Sequence, residues 1–312
     1  MGDRDIKSVK MFSIAYRAFL RGSNVWLSAA RQKPVKSPSK DHRKPIESFM
    51  IIRHDIEPTL YLSSPAQFPA VVPVDTRQQE VLVVYDDIDQ LLKPSLLPAV
   101  QSVPDVYARC DGMGTLIQPR WILSAAHVAV ELAISHKIEF ANTPYAIQQV
   151  ILHPDFYTYS SHREISEVQN DIALIQLQHP VQGIAPLPLY RQTDELRQTA
   201  TFAGQGDFGT GLIGPDQVDG KMRIATNRIE KVDDQWLIFQ FDAPPEATEL
   251  EGISGPGDGG SPALLKTAQG WAVAGVRAGQ DSARLGEGYY GVWEYYTRIS
   301  HHLDWIDSIM QP

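Results

Sequence analysis

Eleven apolar runs of four to eight residues, set apart by Gly, Pro, Asp and Asn, punctuate the sequence between residues 68 and 296. They are "FPAVVPV", "VLVVY", "GTLI", "WILSAA", "YAIQQVIL", "IALIQL", "ATFAG", "WLIFQF", "PALL", "WAVAGV" and "YYGVWEYY". Segments this short, broken this often, read as many short strands, and many short strands close into a barrel or stack as a sandwich. The 22 Gly and 22 Pro fit a turn-rich β protein better than a helical one.

At 312 residues the chain suffices for one large domain or two closely packed ones. No apolar run approaches the roughly 20 residues that span a bilayer, so no transmembrane helix is expected. Only the C-terminus reads as a clear helix. In "TRISHHLDWIDSIM", Ile299, Leu303, Ile306 and Met310 recur at three- and four-residue steps. Neighbouring helical positions do not face one another, so His301 and His302 are expected on a solvated face with Asp304, not as metal ligands.

Charge divides the chain. Residues 1–49 carry 11 Lys or Arg against 4 Asp or Glu, and a net charge of −9 overall then leaves −16 on residues 50–312. That acidic body has the wrong sign for neutralising phosphates, so nucleic acid is not an expected partner. In the basic leader, "MFSIAYRAFLRGSNVWLSAA" has the apolar patches and small-residue ending of an export signal, but Arg17 and Arg21 interrupt it. "RQKPVKSPSKDHRKP" has the composition of a disordered basic tail. Secreted, periplasmic and unexported locations all stay open, as does the oligomeric state. The one cysteine, Cys110, excludes an intramolecular disulfide and reads as a free, packed thiol.

"GQGDFG" satisfies the dinucleotide pattern with Gly204, Gly206 and Gly209, but that chemistry needs a helix to begin there. The Gly- and Pro-punctuated "TGLIGPDQVDG" follows instead, so this is a loop between strands and no nucleotide cofactor is expected.

Two motifs carry chemistry together: "GTLIQPRWILSAAHVA", ending near His127, and "NDIALIQL", with Asp171. With "GDGGSP" at residues 257–262, "ILHPDF", "AGQG" and the closing "YYTRISHHLDWIDSI", they resemble the chymotrypsin/trypsin-like serine protease family in order and spacing. The "RHD" after Ile52 is similar to the start of bacterial members. The resemblance covers about residues 50–310 and implies two six-stranded antiparallel β-barrels with the site between them. The first barrel is expected over about 68–185, the second over about 195–297 and the C-terminal helix over about 299–310, all within one domain at 50–312. The thirty or so residues from "QQEVLVVYDDIDQ" to "VPDVYA" look like an insertion in the first barrel.

In that family a serine hydroxyl is activated by an imidazole base that a buried carboxylate orients. The resemblance assigns the base to His127 and the orienter to Asp171. It assigns the oxyanion and activation loop to Gly257, Asp258 and Gly259. Anchored by Asp258 and Pro262, Gly259 stands at the nucleophile position, and Ser261 lies two residues on. An extended chain advances about 3.3 Å per residue, so Ser261 is displaced by roughly 6 to 7 Å. A base must approach to about 3 Å. The stretch is similar to catalytically silent family members with glycine at this position. Two readings follow: a non-catalytic module that holds a peptide or protein in the cleft, or an active endopeptidase in which a rearranged loop presents Ser261 to His127 and Asp171.

The same resemblance places Ile253, Ser254, Arg277 and Gly279 at the specificity pocket. Ile253 at its base implies either an apolar preference or a filled pocket. Arg277 is expected to reach Asp171 and loosen its hold on His127. Cleavage before Ile51 or Ile52 would supply the amine that pairs with Asp258 in the family; an uncut chain leaves "MIIRH" as an ordered strand. Neither metal nor cofactor is expected.

Overall fold

The computed structural model describes residues 50–75, 111–132, 136–157, 165, 168–282 and 284–311. The basic leader, the insertion and Cys110 lie outside the described residues.

The strands form two six-stranded units, as the sequence implied. The first contains β2 (Val71–Val74), β3 (Gly112–Gln118), β4 (Trp121–Ser124), β5 (Lys137–Phe140), β6 (Thr143–Leu152) and β7 (Ala173–Leu177), in the spatial order β2-β3-β4-β7-β6-β5. It curls until its edge strands β2 and β5 approach each other, a nearly closed barrel. The second is closed: β8 (Thr199–Gly204), β11 (Arg223–Val232), β12 (Trp236–Gln240), β14 (Pro262–Thr267), β15 (Gly270–Asp281) and β16 (Trp293–Arg298), ordered β11-β12-β16-β15-β14-β8. A third, four-stranded sheet runs β10-β9-β1-β13, from β1 (Ile51–Ile52), β9 (Phe208–Thr210), β10 (Gly214–Gln217) and β13 (Gly252–Ile253).

Alternation explains the open faces. In "KIEF" of β5, Ile138 and Phe140 are buried while Lys137 and Glu139 face water, the two-residue period of a half-buried strand. Strands enclosed on both faces lose that alternation: Pro262 to Leu265 of β14 are all buried. Phe202, Phe239 and Tyr296 fill the closed barrel, with the Phe202 and Tyr296 rings stacked at 4.9 Å. Two α-helices accompany the strands, α1 (Ala126–Ala129) and α2 (Ile299–Met310). Ile299 and Ile306 of α2 pack into the same core as Leu123, Leu174 and Val276, so the helix ties the two units together.

One expectation about α2 is corrected. His301 is exposed, but His302 is buried at 2% exposure instead of lying on the solvated face. Its Nδ1 lies 2.9 Å from the Arg298 carbonyl and its Nε2 3.1 Å from Asn170 Oδ1. The ring also packs edge-on against His153 at 5.4 Å. Local hydrogen bonds let a polar side chain join the apolar stripe.

Candidate active site

His127 and Asp171 meet because of strand pairing. β4 and β7 are antiparallel neighbours in which Ser124 opposes Ala173. The three residues beyond Ser124 lead to His127 in α1, and the two before Ala173 lead back to Asp171, so both side chains emerge at the same end. Asp171 is buried; its Oδ2 lies 2.6 Å from His127 Nδ1 and its Oδ1 accepts the His127 backbone N–H at 2.9 Å. One carboxylate therefore fixes both the ring and the start of the helix that carries it. Thr297 Oγ1 donates to the Asp171 carbonyl at 2.9 Å.

His127 Nε2 is left to face Gly259. A Cβ built on Gly259 would sit 2.5 Å from Nε2 and 3.0 Å from Val128 Cγ2. The imidazole thus occupies part of the space that a nucleophilic side chain would need. Ser261 is fully buried elsewhere: its Oγ has no hydrogen-bond partner among the described residues. The hydroxyl faces the phenol of Tyr296, which is also buried and likewise lacks a partner of good geometry.

The loop between Asp258 and Ser261 is pinned from several sides. Met113 N donates to Gly259 O at 2.6 Å, Gly260 N to Arg277 O at 2.9 Å, Ser261 N to Asp258 O at 2.9 Å and Arg277 N to Ser261 O at 2.9 Å. Gly260 adopts a φ of +82°, and any Cβ there would overlap the Met113 carbonyl, so only glycine fits. Within residues 255–261, Gly257 and Gly259 are the N–H groups for which the described residues provide no hydrogen bond. An oxyanion site needs such free donors.

Asp258 has no exposed surface and accepts backbone N–H groups from Gly206 at 2.7 Å and from Gln205 and Gly255 at 2.9 Å. Burial pushes its carboxyl up, against the opposing pull of these amides and of Arg277. Gly204 and Gly206, the first two glycines of the nucleotide-like pattern, are explained here: a Cβ on either would overlap the Asp258 carboxylate. They shape its cradle.

Met50, Ile51 and Ile52 are buried, and β1 lies between β9 and β13, with Ile51 opposite Gly209 and Ile253. Cleavage at these bonds would require the strand to leave both neighbours.

Arg277 does not reach Asp171, which corrects the expected pairing. Its guanidinium is held inside the closed barrel by Glu294, at 3.4 Å from Nε, and by Glu287, at 3.2 Å from Nη2. Burial pulls its pKa down, but the two carboxylates outweigh it and the net direction is up. Glu294 is pushed up by burial, opposed by Arg277 and by hydrogen bonds from Ser254. Ser254 Oγ donates to Glu294 Oε1, Ser254 N to Oε2 at 3.3 Å and Gln280 Nε2 to Oε1 at 3.3 Å.

Ile253 and Ser254 point to different environments, as neighbours in a strand do. Ile253 packs with Ile51, Phe241 and Val292, while Ser254 turns to Glu294. Gly279 lies beneath Ile165, whose Cδ1 is 2.8 Å from a built Cβ. Ser254, Gln280, Arg277, Glu287 and Glu294 thus form a charged network beside the apolar cluster around Ile253. Glu294 belongs to no sequence motif. Its signal was a lone carboxylate in the apolar "VWEYY", on the strand beside the equally isolated Arg277 of "AGVRAG".

Paired six-stranded barrels with a histidine–aspartate pair in the cleft define the class of trypsin-like serine peptidase domains. The trypsin family model matches residues 106–306. A tryptase from Mus musculus is 27% identical over 217 residues, 62% of this chain and 76% of the tryptase. Snake venom serine protease KN5 from Trimeresurus stejnegeri is 30% identical over 210 residues, 64% of this chain and 76% of the venom protein. The Complement C1r subcomponent-like protein from Homo sapiens is 26% identical over 245 residues, 67% of this chain and 46% of its own length. The chain belongs to the trypsin family. Among the described residues, no helix is long and apolar enough to cross a membrane.

Proposed function

We propose that this protein is a non-catalytic trypsin-family homologue whose cleft holds a segment of a peptide or protein partner. The observation that carries the reading is the identity of the group facing the base: His127 Nε2 looks onto Gly259, which has no side chain to activate. Removing a triad nucleophile typically costs on the order of 10⁶ in turnover, about 8 kcal/mol of barrier. The pinned loop adds support, since bringing Ser261 to His127 would break its backbone hydrogen bonds to Asp258 and Arg277. The free amides of Gly257 and Gly259 would remain available to a partner's carbonyl. The acidic body favours a partner without exposed phosphates.

The test is a fluorophosphonate probe applied to the full chain and to its Ser261→Ala and His127→Ala variants. No labelling of any of them is expected. Labelling of the wild type that both substitutions abolish would establish the competing reading, proteolysis through Ser261, His127 and Asp171.

A further inference from the structure

A buried arginine beneath the pinned loop is held by carboxylates of its own chain. Three strands converge below the pinned loop: β15 supplies Arg277 and Gln280, β16 supplies Glu294, and Ser254 follows β13 directly. Arg277 is tied to the loop through both its N–H and its carbonyl, so its side chain starts directly beneath Gly260 and Ser261. From there it enters a closed space in which Ser254, Ser261 and Glu294 have no exposed surface and Arg277 itself only 7%. Glu294 opposes Gln280 across the β15–β16 ladder and receives hydrogen bonds from Gln280 and Ser254 in addition to the guanidinium. Gln280 also donates to the Ser254 carbonyl at 2.7 Å and accepts from Gly288 N at 2.9 Å. Burial disfavours the charged form of this carboxylate, and the guanidinium and the hydrogen-bond donors around it oppose that cost. Beside it lie the buried hydroxyls of Ser261 and Tyr296, which face each other.

We infer that Arg277 is the internal occupant of a latent site for a guanidinium or amidinium group, with Glu294 as the recognising carboxylate, and that its presence excludes a partner's basic side chain. Arg277 thereby determines specificity. With it in place the cleft recognises a partner by main chain and surface; without it the recess selects a cationic side chain. The second carboxylate, Glu287, has a side chain 37% exposed and marks the edge toward solvent along which the guanidinium lies. The inference rests on the reading of the cleft as a binding site, but it does not depend on whether the protein is catalytic.

The experiment uses full-length protein and p-aminobenzamidine, whose fluorescence rises when its amidinium is held in an apolar environment. Wild type is expected to give no saturable signal at millimolar probe. Arg277→Ala is expected to bind at least about 100-fold more tightly than wild type, as a deleted buried ion-pair partner is replaced by the probe. Arg277→Gln retains a donor for Glu294, guards against a folding defect in the alanine variant, and is expected to gain binding to a smaller extent. Adding Glu294→Gln to either variant should return the signal to the wild-type level. Saturable binding to wild type as tight as to the variants would overturn the proposal, and so would folded variants that bind no more than wild type. Fluorophosphonate labelling of the wild type would remove the non-catalytic reading and leave this result intact, so the two failures are distinguishable.

Discussion

His127 and Asp171 stand on the open-edged six-stranded sheet, whereas Gly259 and Arg277 stand on the closed barrel, and the two sides of the cleft keep different parts of the trypsin-family site. On the first side the imidazole and carboxylate are 2.6 Å apart, the geometry that orients a general base. On the second, Gly259 presents no side chain to His127, and Arg277 lies buried against Glu294. The difference teaches that a paired imidazole and carboxylate can be held in place by structural contacts alone. Asp171 also accepts the His127 backbone N–H, so it fixes the start of α1 whether or not a proton is ever transferred.

Restoring the second side should have the largest effect. Gly259→Ser combined with Arg277→Ala is expected to hydrolyse arginine esters at least about 100-fold faster than either single variant, because nucleophile and side-chain site then both exist. Equal rates for Gly259→Ser alone, in steady-state ester assays, would reduce the contrast between the two sides to the nucleophile.

Stability measurements sharpen the contrast further. Glu294→Ala strands the buried guanidinium and is expected to cost about 3 to 5 kcal/mol in urea unfolding. A loss under about 1 kcal/mol would show that Arg277 turns freely to solvent.

The first side should instead respond to acid, through His302, which touches Asn170 next to Asp171. Burial lowers the His302 pKa from 6.5 to about 4 in the folded protein, reinforced by His301 and His153 and opposed by the Arg298 carbonyl. A base depressed on folding contributes stability that is fully present above pH 6.5 and is lost as pH falls from there toward 4. The expected loss is about 3 kcal/mol. Urea midpoints against pH would show it, and His302→Gln should flatten that part of the profile.

Asp171→Ala, which leaves the His127 N–H without its acceptor, should cost about 2 kcal/mol by the same measurement. The smallest effect is expected for Glu287→Ala, below about 1 kcal/mol, since its carboxylate is partly in water and Arg277 keeps Glu294. A cost as large as that of Glu294→Ala would make Glu287 the principal partner.

Much of the fold was legible because it depends on local pattern. Short apolar runs between Gly and Pro gave strands, and the three- and four-residue recurrence of Ile299, Leu303, Ile306 and Met310 gave α2. His127 and Asp171 were legible from the "SAAH" and "NDIAL" motifs. Three features were not. Glu294 carries no motif, and an isolated glutamate in a strand gains meaning only when the neighbouring strand places an arginine against it. Motif position alone directs Arg277 toward Asp171, but side chains alternate along a strand and the backbone register turns this one into the barrel. His302 looked solvated because helical periodicity says nothing about Asn170, a residue 132 positions away, offering a hydrogen-bond partner.

The sequence by itself determined the family and the strand content, and it supplied the motifs that carry His127, Asp171 and Gly259, since each is written in contiguous residues. Only the tertiary structure decided that Gly259 meets Nε2, that Ser261 faces Tyr296, and that Arg277 pairs with Glu294. Those outcomes rest on strand register and on which distant groups share a water-free space, and charges buried together must find each other there.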